Sequence, residues 1–248
     1  MKPEIVRIRR FLKSQIDRNK RLHQAQNRGE GPLEWVARLR TWQAQRLTDS
    51  FADLYASERY GRAVKFFISD LYGATGFEER DEELERIEPI MIRLLPAHLI
   101  ETVGRAMELQ ALSEELDIAL ARVLERDCAR DTPISVDVYA HAYRECKNHP
   151  ERTLQIDLLY DIGSHLDWVV SKSYIYAALR LCRGPAWAAG LGVLQNFLEN
   201  AFRAYRSMNG AKWFLETITS RERQVMENLF AGKEDPFAVT IEPDSEVI

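Results

Sequence analysis

Apolar residues recur at steps of three and four along nearly the whole chain, as they do in helices with one greasy face. In residues 4–27, Ile5, Ile8, Leu12 and Ile16 line one side, while Arg7, Arg9, Arg10 and Lys13 fall elsewhere. Asn27 to Pro32 reads as a turn, with Pro32 suited to a first helical position. The next helix runs through Trp35, Leu39, Trp42 and Arg46, its two tryptophans seven apart on one face.

Ala63, Phe66, Phe67 and Leu71 then predict a helix over 59–71. Gly73 stands where a left-handed cap would end it. Thr75 and Glu78 fit a capping box for the following helix, whose first turns crowd Glu79, Asp81, Glu82 and Glu83 against the positive end of its dipole. Leu84, Ile87, Met91 and Leu94 continue one face, and Pro89 falls inside it, where it should kink the helix or start a new one. The longest pattern spans 97–126. Its seam of Leu99, Val103, Ala106, Leu120 and Leu124 is interrupted at the same spacing by Gln110, Ser113 and Asp117. Asp131 to Ser135 opens a helix with Val138, Tyr139, Ala142 and Tyr143 inward. A break at 147–150 leads into residues 150–171, where Leu154, Leu158, Asp161, His165 and Trp168 share one face. Leu159, Ile162, Leu166 and Val169 share a second. A helix apolar over so much of its girth is expected to be central. Arg183-Gly184-Pro185 is a stop and restart. The helix 186–208 places Trp187, Leu191, Leu194, Leu198 and Ala201 inward, and Asn209-Gly210 ends it. A last helix, 211–230, carries Trp213, Phe214, Ile218, Val225 and Leu229.

This pattern predicts an all-α fold, an irregular multi-helix bundle of about eight or nine helices. The expected organisation is a single helical domain over 1–235, with a basic first helix, and a flexible acidic tail over 236–248. At 248 residues, with 46% hydrophobic and 29% charged residues, the chain is long enough to bury a substantial core. It has no apolar run of membrane-spanning length and no signal-peptide core at its start. Cys128, Cys146 and Cys182 fit neither a disulfide framework nor zinc spacing, which points to packing cysteines in a reducing, cytoplasmic setting.

Net charge is −4, but unevenly spread. Residues 1–46 hold 12 Lys and Arg against 4 Asp and Glu, or +8, and the rest of the chain carries −12. A basic arm beside an acidic body suggests an internal or subunit contact, or an acidic partner. The sequence pI near 5.8 argues against nucleic acid as that partner.

Phe66-Phe67-Ile68-Ser69-Asp70-Leu71-Tyr72-Gly73, followed by Arg80-Asp81, resembles the signature of an uncharacterised family of bacterial all-helical proteins, Phe-Phe-x-x-x-Leu-Tyr-Gly … Arg-Asp. The likeness continues through Pro96 and 112–117 to Phe197-Leu198-Glu199. It implies a helical fold and no particular activity.

Two functional readings are open. The first is a non-catalytic interaction or ligand-binding module. An aromatic-lined pocket at Phe67 and Tyr72 would be flanked by Arg59, Arg62, Arg80 and Asp81, whose arginines would meet an anionic group. Alternatively, the aromatics are core and the arginines pair with the acidic helix start. The small residues Ala186, Ala188, Ala189, Gly190 and Gly192 would let another helix approach, so self-association or a protein partner is expected. The second reading is a metal-dependent bundle enzyme. Asp157, Asp161 and His165 lie one turn apart on one helix, so a carboxylate could orient the imidazole or all could ligate a metal. Asp117, buried among apolar neighbours, would join Asp161 and His165, and His98 with Glu101 offers a second pair. Such an arrangement would be heme-oxygenase-like or a di-metal carboxylate site, although no Glu-x-x-His occurs in the chain. No phosphate-binding glycine loop, Gly-x-Ser-x-Gly or His-Glu-x-x-His is present. The identity of any cofactor does not follow from these residues.

Overall fold

A computed structural model describes residues 3–71 and 77–239. Among them the chain is helical throughout, in twelve α-helical segments. These are α1 Pro3–Asn27, α2 Leu33–Ser50, α3 Ala52–Ala56, α4 Gly61–Phe66, α5 Phe77–Leu94, α6 Ala97–Asp127, α7 Val136–Glu145, α8 His149–Val170, α9 Ser173–Leu181, α10 Arg183–Ala188, α11 Gly192–Met208 and α12 Lys212–Phe230. A π-helical turn, Phe67–Leu71, extends α4. The count exceeds the eight or nine expected: α4 with its π turn is the helix predicted over 59–71, and the surplus is the short segments α3, α9 and α10. Among the described residues no helix is long and apolar enough to cross a membrane.

The longest helix, α6, is the spine of the bundle, with α1, α2, α5, α7 and α8 packed around it. The basic arm lies along it: Ile8, Leu12 and Ile16 are buried against Ile100 and Met107. The two backbones come so close that a methyl on Gly104 would sit 2.7 Å from the Phe11 ring. Asn19, fully buried, donates to the Met107 carbonyl at 2.8 Å, and the Arg18 Nε donates to Glu115 at 2.8 Å. The basic arm therefore finds acidic residues of its own chain. On the other side, α8 packs between α6 and α12. Phe66, Phe67, Tyr60, Phe202, Tyr205 and Phe214 build an aromatic core joining α4, α11 and α12. A second core gathers Trp35, Leu39, Leu120, Leu124, Tyr139, Tyr143 and Leu229.

Local signals explain several boundaries. The Ser135 hydroxyl accepts from the Val138 amide and starts α7, Pro150 lies in the first turn of α8, and Asn209 ends α11 in the left-handed region at φ 50°. Pro89 is carried inside α5 and starts no new helix. The residues from Tyr72 to Gly76, with the expected Gly73 cap and Thr75 capping box, lie outside the described residues, as does the chain from Thr240. Of the expected tail, Phe237 lies against the body, its ring 5.9 Å from that of Trp42, and Pro236 accepts from the buried Asn228 amide at 3.1 Å.

Two assignments of inward faces need correction. In α8, Leu154, Asp161, His165 and Trp168 of the first face are exposed and only its Leu158 is buried, while Ile162 and Val169 of the second face are buried with Ile156 and Gly163. Helix 186–208 is not continuous: the chain turns at Gly190, φ 67°, between α10 and α11. That turn uncouples Trp187 from the register of α11, so Trp187 is 56% exposed, while Leu194 and Ala201 are buried.

Candidate functional site

The register of α5 sets its two sides apart. Asp81, Leu84 and Met91 point inward, and Glu79, Glu82 and Glu85 stand outward around the same helix. On α1, Ile16, Lys20 and His23 form a stripe at steps of four and three, facing α5. Between them lies a cleft of about 470 Å³, lined also by Glu83, Arg86 and Gly190 of the α10–α11 turn. Arg86 donates to the Gly190 carbonyl and ties that turn to α5. Glu83 is buried and accepts from the Leu194 and Val193 amides at 2.6 and 3.3 Å, so it caps the open end of α11.

Asp81 is the chemical centre of the cleft. Its side chain is buried, with Oδ2 accepting from Gln110 Nε2 at 2.6 Å and His23 Nδ1 at 3.9 Å from the same oxygen. Oδ1 has no hydrogen-bond donor; Arg80 Nε stands 3.7 Å from it. Arg80 is held in place, because its guanidinium lies 4.5 Å above the Phe197 ring and donates to Gln110 Oε1. Burial raises the Asp81 pKa above the usual carboxylate value, against the opposing pull of Arg80, His23 and the Gln110 hydrogen bond. The result is a desolvated carboxylate in an acid-lined cleft, with Arg80 and His23 as its charged neighbours.

The other candidate residues are placed apart from this cleft. Arg59 donates to the Met208 and Asn209 carbonyls at 2.6 and 3.2 Å, closing the far end of α11, eleven residues beyond the ring on which Arg80 stacks. At 1.5 Å per residue, that is roughly 16 Å along the helix. Arg62 is exposed. Phe67 is buried, with its ring 5.5 Å from Phe214. The apolar space beside Phe67 is about 30 Å³, and its lining includes neither Arg80 nor Asp81. Tyr72 lies outside the described residues.

Asp117 faces α2, where Arg40 Nε and Gln43 Nε2 each stand 3.3 Å from its carboxylate, and burial raises its pKa. Arg40 also bonds Glu114. Asp161 and His165 lie on the exposed side of α8, with His165 Nδ1 3.5 Å from the Thr102 hydroxyl. His98 sets its ring against Trp168, and Glu101 lies 3.8 Å from Arg105. Among the described residues, no three His, Cys, Asp or Glu converge as a metal-ligand set.

Sequence reasoning missed His23 and Glu83 as parts of the site. His23 continues the Ile16 stripe of α1, a signal present but unread. Glu83 looked like one of several dipole-compensating acids. Glu199, in the last part of the signature, is 1% exposed and accepts from Arg183 and Arg203, each at 2.7 Å, and from Gln195 at 3.0 Å. Chiefly through Arg183, its pKa falls to about 2. Neither curated proteins nor solved structures give a match to this chain. A family model does, over residues 22–236, from the cleft-lining part of α1 to the docked start of the tail, and the chain belongs to that family, the domain of unknown function DUF8198.

Proposed function

We propose that this protein is a non-catalytic binding module, and that the cleft between α1 and α5 receives a cationic group, a guanidinium or a primary ammonium. The observation that carries this reading is the charge of the cleft: its lining holds Asp81, Glu79, Glu82, Glu83 and Glu85 against Lys20 and Arg86. A cleft of this size accommodates a side chain or a small polyamine. Three free cysteines, Cys128, Cys146 and Cys182, support a reducing, cytoplasmic setting.

Isothermal titration calorimetry of the full chain with spermidine and with an arginine-rich peptide tests the reading. Binding is expected at low salt and should weaken as salt rises. Asp81→Asn should weaken it by about tenfold, the equivalent of about 1.4 kcal/mol. No uptake of either probe, or unchanged affinity in Asp81→Asn, overturns the reading.

A further inference from the structure

The surface beside the cleft has an unusual composition. Residues 168–198 contain no Asp or Glu and carry Lys172, Arg180 and Arg183. Ile175, Tyr176 and Leu179 turn α9 towards the aromatic core. Its opposite side exposes Tyr174 at 69% and Leu181 at 79%, seven residues apart and therefore on one face, with Arg180 beside them. On α10, Trp187 adds a half-exposed ring held against Gly192. Large apolar side chains gathered this way on a surface mark a contact with another molecule.

The neighbouring surface has the opposite character. Glu79, Glu82 and Glu85 are exposed on α5, and further along the same helix Ile90 is 58% exposed. The two surfaces meet where Gly190 lines the cleft and Arg86 holds it. A basic, apolar half adjoining an acidic half with its own apolar residue is self-complementary under a two-fold rotation.

We propose that the partner of the cleft is a second copy of this chain. Each copy lays the α9–α10 face over α5 of the other and presents Arg180 to the Asp81 cleft. This rests on the reading of the cleft as a cation site and names the group that occupies it. An anionic bilayer fits less well, because docking α10 on it would bring the α5 carboxylates against the lipid phosphates. Two symmetric contacts form at once, and opposite charges set their register.

Sedimentation velocity of the full chain over a concentration series tests this. A monomer–dimer equilibrium that weakens with salt is expected. Leu181→Glu, on an exposed position and so compatible with folding, should weaken it by about tenfold or more. Arg180→Glu should do the same, and Arg180→Glu combined with Glu82→Arg should restore it. Flotation with phosphatidylglycerol vesicles forms the second arm. A chain that stays monomeric at every concentration overturns the inference, whether or not it floats with vesicles. If that monomer still takes up spermidine through Asp81, the cleft reading stands and only the second copy fails. Dimerisation indifferent to Arg180→Glu and to Asp81→Asn also overturns it, since the contact would then lie elsewhere.

Discussion

Asp81 and Glu199 are both carboxylates more than nine-tenths buried, yet their surroundings move them in opposite directions. Around Glu199, Arg183, Arg203 and Gln195 all donate, so the charged form is favoured in the folded protein. A folded pKa near 2 against an ordinary 4.5 means that this stabilisation is complete above pH 4.5 and is lost as pH falls towards 2. Glu199→Gln should therefore flatten the acid side of a plot of urea midpoint against pH, with its loss of stability present already at neutral pH. Asp81 behaves the other way. Its pKa is raised from 3.8, so the carboxylate favours the folded state when protonated, and that contribution disappears as pH rises through the raised value. Asp81→Asn keeps an acceptor for Gln110 and removes a desolvated charge. It is expected to stabilise the chain by about 1 kcal/mol at pH 7 while weakening cation binding about tenfold. Urea unfolding measures the first effect, and a loss of stability would mean that Asp81 serves the fold. At this scale the sequence was partly legible. Asp81 and the polar interruption at Gln110 both stood out. Their juxtaposition did not, because nothing in local spacing says that α5 and α6 turn those residues towards each other.

Among the elements, α8 shows what periodicity resolves and what it leaves open. Its girth is apolar enough for two stripes to qualify as the inner face, and the neighbours decide between them. Helices α6 and α12 cover Leu158, Ile162 and Gly163, which leaves Asp161, His165 and Trp168 outside. That choice disperses the residues from which a metal site had been read. The approach of α12 depends on Gly163. A methyl there would overlap a Leu215 methyl and sit 3.1 Å from the Tyr205 hydroxyl, and Leu215 is itself 1% exposed. Gly163→Ala is expected to lower stability by about 1–3 kcal/mol, read from the urea midpoint, with little change in helical content. The break between α10 and α11 was hidden for a different reason. Ala186, Ala188 and Ala189 favour helix up to Gly190, and only the fold places that glycine at positive φ. Once it is there, Trp187 belongs to the surface. The end at Asn209 needed no tertiary information and was legible outright, whereas the start of α7 was bracketed between Asp131 and Ser135 and the structure selects Ser135.

For the molecule as a whole, the unequal charge distribution was the most informative property. A basic arm on an acidic body becomes α1 on α5 and α6, through Arg18 with Glu115 and Lys20 with Glu85. Although the family match starts at residue 22, the earlier turns of α1 contribute Ile8, Leu12 and Ile16 to the core around Ile100 and Met107. A chain beginning at residue 22 should therefore lose cooperative unfolding, as followed by circular dichroism in urea, because α6 would expose that apolar seam. It would also lose the Ile16 and Lys20 wall of the cleft.

The position of α1 also bears on synthesis. Arg18 and its partner Glu115 are separated by 97 residues. At ribosomal rates of about 5–20 residues per second, the first helix emerges about 5–20 s before its berth on α6 has been made. Throughout that interval its isoleucines and Leu12 hang from the nascent chain uncovered, a natural target for a holding chaperone.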